Sequence, residues 1–141
     1  MACTVYKLGA LKKYKYVVVL SVYHNMVMLS KHKSRETFET QGGHIEVGET
    51  PLEAAKRELF EESGAIDFTI TPIFDYRSGN DVDFADGQVF IAHVTKLNPL
   101  PENSEMRDVA FFKSLPSPLT YPDILPVLFK HAKALGLIDC E

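Results

Sequence analysis

Gly43-His44-Ile45-Glu46-Val47-Gly48-Glu49-Thr50-Pro51-Leu52-Glu53-Ala54-Ala55-Lys56-Arg57-Glu58-Leu59-Phe60-Glu61-Glu62-Ser63-Gly64 is the stretch on which the reading of this chain turns. Its second half has the signals of a well-defined helix over 51–63. Thr50 is an N-cap residue, Pro51 suits the first helical position, and Glu53 stands three residues after the cap, as in a capping box. Leu52, Ala55 and Leu59 recur at helical spacing and form the expected buried face, and Gly64 stands where a C-terminal glycine ends a helix. Within that helix Glu58 precedes Glu61 by three residues and Glu62 by four, which stacks three carboxylates around one turn. They repel one another by a few tenths of a kcal/mol per pair and sit at the helix end where the macrodipole disfavours negative charge.

Two local rules broken in one turn are the mark of a functional site. A hard divalent cation with oxygen ligands would reverse the penalty. On the glutamates alone, a solvated acidic face is the commoner explanation. The neighbours favour the cation. Gly42 and Gly43 read as a tight turn able to present a backbone carbonyl, Gly48-Glu49 as a second turn into the cap, and Arg57 is four residues before Glu61, close enough to pair with it and fix it.

Outward from this segment, residues 15–23 and 26–30 read as strands joined at His24-Asn25, and 31–37 as a polar loop leading to an extended piece at Phe38. Downstream, 66–76, 88–94 and 109–112 read as strands. The acidic stretch 77–87, the Pro/Glu stretch 98–106 and the Pro-rich 115–121 read as connections, and 124–135 as a second helix with Pro126 in its first turn. Strands interleaved with two helices indicate an α/β domain with a mixed sheet.

The 141 residues are 45% hydrophobic and 24% charged, ordinary for one globular domain with a real core. A net charge of -4 gives no broad basic field for a nucleic-acid duplex. Cys3 and Cys140 make neither a disulfide framework nor a zinc cluster, so a reducing cytoplasm is the expected setting. The apolar run 16–23 behind four lysines is too short to span a bilayer and lacks a cleavage site, so neither a membrane anchor nor a secretory signal is expected.

Gly43, Glu49, Arg57, Glu58, Glu61, Glu62 and Gly64, with Leu59 and Ala65 at the aliphatic positions, match G-x5-E-x7-R-E-U-x-E-E-x-G-U over residues 43–65. The chain resembles the Nudix hydrolase family on this motif, with Ala65 smaller than usual and Gln41 where many relatives have proline. The resemblance implies one Nudix domain over residues 1–141, an α/β/α sandwich around a central mixed β-sheet. It also implies metal-dependent hydrolysis of a nucleoside diphosphate linked to another group, with Mg²⁺ or Mn²⁺ as cofactor. Glu58, Glu61 and Glu62 would bind metal with the Gly42 carbonyl, and Glu58 or Glu61 would serve as general base. Arg57, Gly43, Glu49 and Gly64 would support them.

A further metal carboxylate often comes from a later loop in this family. Glu102, Glu105 and Asp108 stand about there, with Glu105 the choice, and Asp83 and Asp86 lie in the earlier loop. For substrate, Lys31, His32, Lys33 and Arg35 could meet phosphates, Phe74, Tyr76 and Tyr121 could stack on a base, and Asn80 and Asp123 could bond its edge. A short chain resembles the MutT-like branch, which converts nucleoside triphosphates, including oxidised ones such as 8-oxo-dGTP, to monophosphate and pyrophosphate. The alternatives are ADP-ribose, a nucleotide sugar or a dinucleoside polyphosphate, and a non-catalytic nucleotide-binding module. Gly79 stands where many ADP-ribose hydrolases have a proline. The expected partner is a small nucleotide rather than duplex or membrane, as monomer or homodimer.

Overall fold

Strand β2 (Tyr16–Tyr23) and strand β3 (Met26–His32) form the hairpin from which the sheet is built. His24 (φ 49°) and Asn25 (φ 63°) are both left-handed, as a two-residue turn matching the strand twist requires. The computed structural model describes residues 2–138, so Cys140 lies outside the described residues. The other strands are β1 (Ala2–Tyr6), β4 (Phe38–Glu39), β5 (Gln41–His44), β6 (Ala65–Gly79), β7 (Phe84–Leu97) and β8 (Met106–Phe112). Helix α1 spans Pro51–Ser63 and α2 spans Leu125–Ala134.

The sheet order is β1-β6-β7-β2-β3-β4, with β5 paired to β2 and β8 to β3. β2 and β7 run parallel, in register from Tyr16↔Gly87 to Tyr23↔Val94, and the other pairs are antiparallel, so the sheet is mixed. Alternation sends Val17 and Val19 of β2 and Phe90 and Ala92 of β7 under α1, against Ala55 and Leu59. Leu20, Val89 and Ile91 face the other way, into the core with Leu125, Leu128 and Phe129 of α2. The result is an α/β/α sandwich, and among the described residues no helix is long and apolar enough to cross a membrane.

Helix α1 has the expected ends. Thr50 accepts from the Glu53 amide while Glu53 accepts from the Thr50 amide, and Gly64 ends the helix in the left-handed conformation (φ 80°). The buried face is rotated from the expected one: Ala54 joins Ala55 and Leu59, whereas Leu52 in the first turn is 39% exposed.

Other expectations are corrected. Gly42-Gly43 is not a turn but the centre of β5, opposite Val18 and Val17. The glycines are there for close approach, since a Cβ on Gly42 would lie 2.3 Å from the Val17 carbonyl oxygen. The connection over 77–87 shrinks to a short turn, because β6 and β7 pair outward to Gly79↔Phe84. Their polar ends suit solvent: Arg77 pairs with Asp86 at 2.6 Å and lies over the Phe84 ring at 4.1 Å. The polar segment from Lys31 also begins as strand, since β3 continues to His32 against β8. Strand β1, antiparallel to β6, had no sequence signal of its own.

Candidate active site

Arg57, one turn before the end of α1's acidic run, organises the site. Its Nε donates to Glu49 Oε2 at 2.6 Å and its Nη2 to Glu49 Oε1 at 3.0 Å, a two-point ion pair across eight residues. Nη2 also donates to the His44 carbonyl at 3.1 Å, and Nη1 reaches Glu58 Oε1 and, at 3.1 Å, Glu61 Oε1. One guanidinium thus ties the loop 44–49 to the helix and holds two of the three helical carboxylates. The pairing holds Glu49 below the usual carboxylate range. Loop closure is completed by the Glu46 amide, which donates to Glu49 at 3.0 Å.

Glu62 points inward from the same turn. It is buried, and its Oε1 accepts from the Gly42 amide at 2.7 Å. Burial pushes its carboxyl up to about 9, with the neighbouring charges of Glu58, Glu39 and Glu105 adding to the effect. Glu58 is also raised, first by burial, and its carboxylate lies against Gly43, where a Cβ would come within 2.5 Å of Oε2. Glu61 is half-exposed. Behind Glu62 lies a polar network that sequence reading missed. Ser30 Oγ donates to the Glu62 carbonyl at 2.7 Å, and fully buried Gln41 donates to Ser30 Oγ at 2.8 Å and accepts from Ser21 Oγ at 2.7 Å. Its signal was present: a glutamine directly before the paired glycines.

Glu105 reaches this cluster from the loop before β8. Ser104 Oγ donates to the Glu61 carbonyl at 2.7 Å, docking that loop on α1, and Glu105 raises both Glu58 and Glu62 by its charge. Its carboxylate is exposed and lies 3.8 Å from His32 Nε2. Asp108 pairs with Arg107, and Asp86 with Arg77. The cluster is a set of hard oxygen donors crowded together and partly desolvated, the chemistry that suits a divalent cation. As the side chains stand, Glu62 is turned to Gly42 and Glu58 and Glu61 to Arg57. Among the described residues no three acidic, His or Cys groups converge closely enough to hold an ion.

Gly42 and Gly43 also line a cavity of about 480 Å³, together with Tyr16, Tyr76, Phe84 and Tyr121 and the carboxylates Glu39 and Asp83. Tyr76 and Tyr121 of the sequence candidates line it, whereas Phe74 is in the core. Lys31, Arg35, Asn80 and Asp123 do not line it. Lys31 pairs with Glu36 at 3.5 Å, Arg35 with Glu39 at 3.0 Å, and Asn80 Oδ1 caps its own turn by accepting from the Val82 and Asp83 amides. Asp123 lies just ahead of α2. Phe84 and Glu39 come to the cavity by strand pairing, which spacing along the chain does not display.

Known proteins share this fold. The chain is 26% identical over 134 residues to "Putative 8-oxo-dGTP diphosphatase YtkD" of Bacillus subtilis (strain 168), covering 89% of this chain and 84% of that one. Among solved structures it superposes on the Bacillus subtilis pyrophosphohydrolase BsRppH, in a point-mutant form, with a TM-score of 0.80 at 23% identity, covering 97% of this chain and 93% of the other. The NUDIX domain of Shewanella oneidensis NrtR, solved with ADP ribose, matches with a TM-score of 0.68 at 15% identity, covering 89% and 91%. The NUDIX domain model matches residues 13–117, which take in β2 to β8, helix α1 and the whole carboxylate cluster. The chain belongs to the NUDIX hydrolase family, enzymes that act on pyrophosphate bonds of nucleotide derivatives and generally need divalent metal ions.

Proposed function

We propose that this protein is a cytoplasmic, one-domain Mg²⁺- or Mn²⁺-dependent pyrophosphohydrolase of nucleoside triphosphates, oxidised ones such as 8-oxo-dGTP included, yielding monophosphate and pyrophosphate. The observation that carries the reading is the continuity of the aromatic cavity with the carboxylate cluster through Gly42-Gly43. A base seated between the aromatic walls leaves its phosphates at the glycines, beside Glu58 and Glu62. The similarity to YtkD, named for an 8-oxo-dGTP activity, supports a triphosphate substrate.

Glu58, Glu61 and Glu62, with the Gly42 carbonyl and Glu105, are the residues to hold metal. Bound there, a divalent ion supplies neutralisation of phosphate charge and acidification of a water. The chain's own contribution is positioning and proton transfer. Arg57 fixes Glu58 and Glu61, Ser30 and Gln41 fix the backbone at Glu62, and the cavity walls exclude water from the nucleoside. Glu58 or Glu61 takes the proton of the attacking water.

The test is a Mg²⁺-dependent hydrolysis screen of the common dNTPs, 8-oxo-dGTP, ADP-ribose, a nucleotide sugar and diadenosine polyphosphates, with both products identified. Pyrophosphate plus nucleoside monophosphate is the expected outcome. Preferential cleavage of ADP-ribose or a dinucleotide would replace the substrate and keep the chemistry, and no cleavage of any candidate would leave a nucleotide-binding module.

A further inference from the structure

Among the residues that line the cavity is a carboxylate placed to meet the edge of a bound nucleobase. Glu39 lines the cavity and is only 8% exposed. Arg35 Nη1 donates to its Oε1 at 3.0 Å, and Thr120 Oγ1 donates to the same oxygen at 2.9 Å. Thr120 is in turn fixed by Thr37, whose hydroxyl lies 2.5 Å away, and by its backbone amide donating to the Phe38 carbonyl at 2.9 Å. Both bonds fall on Oε1, so among the described residues Oε2 has no partner. Oε1 is thereby fixed in place, and Oε2 is the oxygen left to accept from a ligand. Tyr121, one residue after Thr120, lines the same cavity and is 45% exposed, a surface on which a base can stack.

An acceptor-only group selects a base that presents donors. Guanine offers two adjacent ones on its Watson–Crick edge, N1–H and the exocyclic amine. Adenine offers one amine beside the N1 lone pair, which a carboxylate repels. Resting on the nucleotide-hydrolase reading above, we infer that Glu39 is a specificity-determining residue that selects guanine by accepting from its N1–H and amino group. The oxidised base keeps both donors, so this contact admits guanine and 8-oxoguanine alike.

The charge of Glu39 also reaches Glu62, so a role at the carboxylate cluster is the competing assignment, and the two separate by base. The experiment is calorimetric binding of GMP, IMP and AMP to the full chain and to Glu39→Gln, with melting temperature as the fold control. Wild type is expected to bind GMP at least about tenfold tighter than AMP, with IMP, which lacks the amine, in between. In Glu39→Gln, where the amide offers adenine N1 a donor, the GMP-to-AMP ratio is expected to fall to within about threefold. The inference is overturned by equal or tighter binding of AMP in wild type, by no binding of any of the three, or by a ratio that survives the substitution. Should the variant not fold, the wild-type series decides. Base-selective binding without hydrolysis of any triphosphate would sink the proposed activity and leave the role of Glu39 standing.

Discussion

Arg57 and Glu49 face each other across the mouth of the loop 44–49, joined by two hydrogen bonds of 2.6 and 3.0 Å. That pair leaves Nη1 of the same guanidinium aimed at Glu58 and Glu61. The motif arginine thus acts through other residues: it spaces two carboxylates that would otherwise repel. Lysine keeps the charge but loses the planar fork. Arg57→Lys is expected to fold, to lower kcat about 10- to 100-fold, and to require more Mg²⁺ for half-maximal rate. A Mg²⁺ titration of the initial rate checks this, and an unchanged metal requirement would contradict it.

Gly43 and Gly48 allow a paired comparison. A methyl on Gly43 would meet the Glu58 carboxylate at 2.5 Å, whereas around Gly48 there is open space and only a left-handed backbone (φ 83°). Gly43→Ala is expected to reduce kcat by roughly a hundredfold with a modest change in melting temperature, since a misplacement near 1 Å has that cost. Gly48→Ala is expected to cost about 1 kcal/mol of stability from backbone strain and to leave kcat near wild type. Steady-state rates and urea midpoints of both variants distinguish a positional effect from a general one.

Glu62 makes the metal-free protein sensitive to pH. Its carboxyl is raised from 4.5 to about 9, so the folded state holds the proton more tightly than the unfolded chain does. The resulting stability is full below about pH 4.5 and is lost as pH rises toward 9. Glu62→Gln cannot ionise. In EDTA it is expected to melt a few degrees above wild type near pH 8.5 and close to wild type near pH 4.5. Added Mg²⁺ should raise the wild-type melting temperature and move the variant much less. A wild type that is no less stable than the variant at the higher pH would contradict the burial of this charge.

Much of this was legible along the chain because the decisive signals were local. Thr50, Pro51, Glu53 and Gly64 fix both ends of α1 by hydrogen bonds made within one turn, and they bound the helix at the residues expected. The clustering of Glu58, Glu61 and Glu62 follows from helical spacing alone. What was missed depends on pairing across the sheet. Gly42-Gly43 looks like a turn until β2 is laid beside it, and residues 77–87 look like a loop because their polar side chains are paired cross-strand at a sheet end exposed to water. Leu52 was assigned to the core because periodicity shows which residues share a face and not where along the helix the sheet ends. Arg35 and Asn80 are substrate candidates by polarity alone, yet their partners, Glu39 and the turn amides, satisfy them locally. Glu39 itself, flanked by phenylalanine and threonine, gave no sign that the Pro-rich segment would fold back and place Thr120 against it.

The claim at the centre is that Glu58, Glu61 and Glu62 together hold a divalent cation, and Mn²⁺ binding by calorimetry tests it without relying on any substrate. Wild type and the Glu58→Gln/Glu61→Gln double variant would be titrated at the same pH after their melting curves show both folded. The expected result is saturable binding to wild type and at least tenfold weaker binding to the variant, because two of the three carboxylates are gone while the shapes remain. Equal affinity in the two proteins would contradict the assignment and move the metal elsewhere.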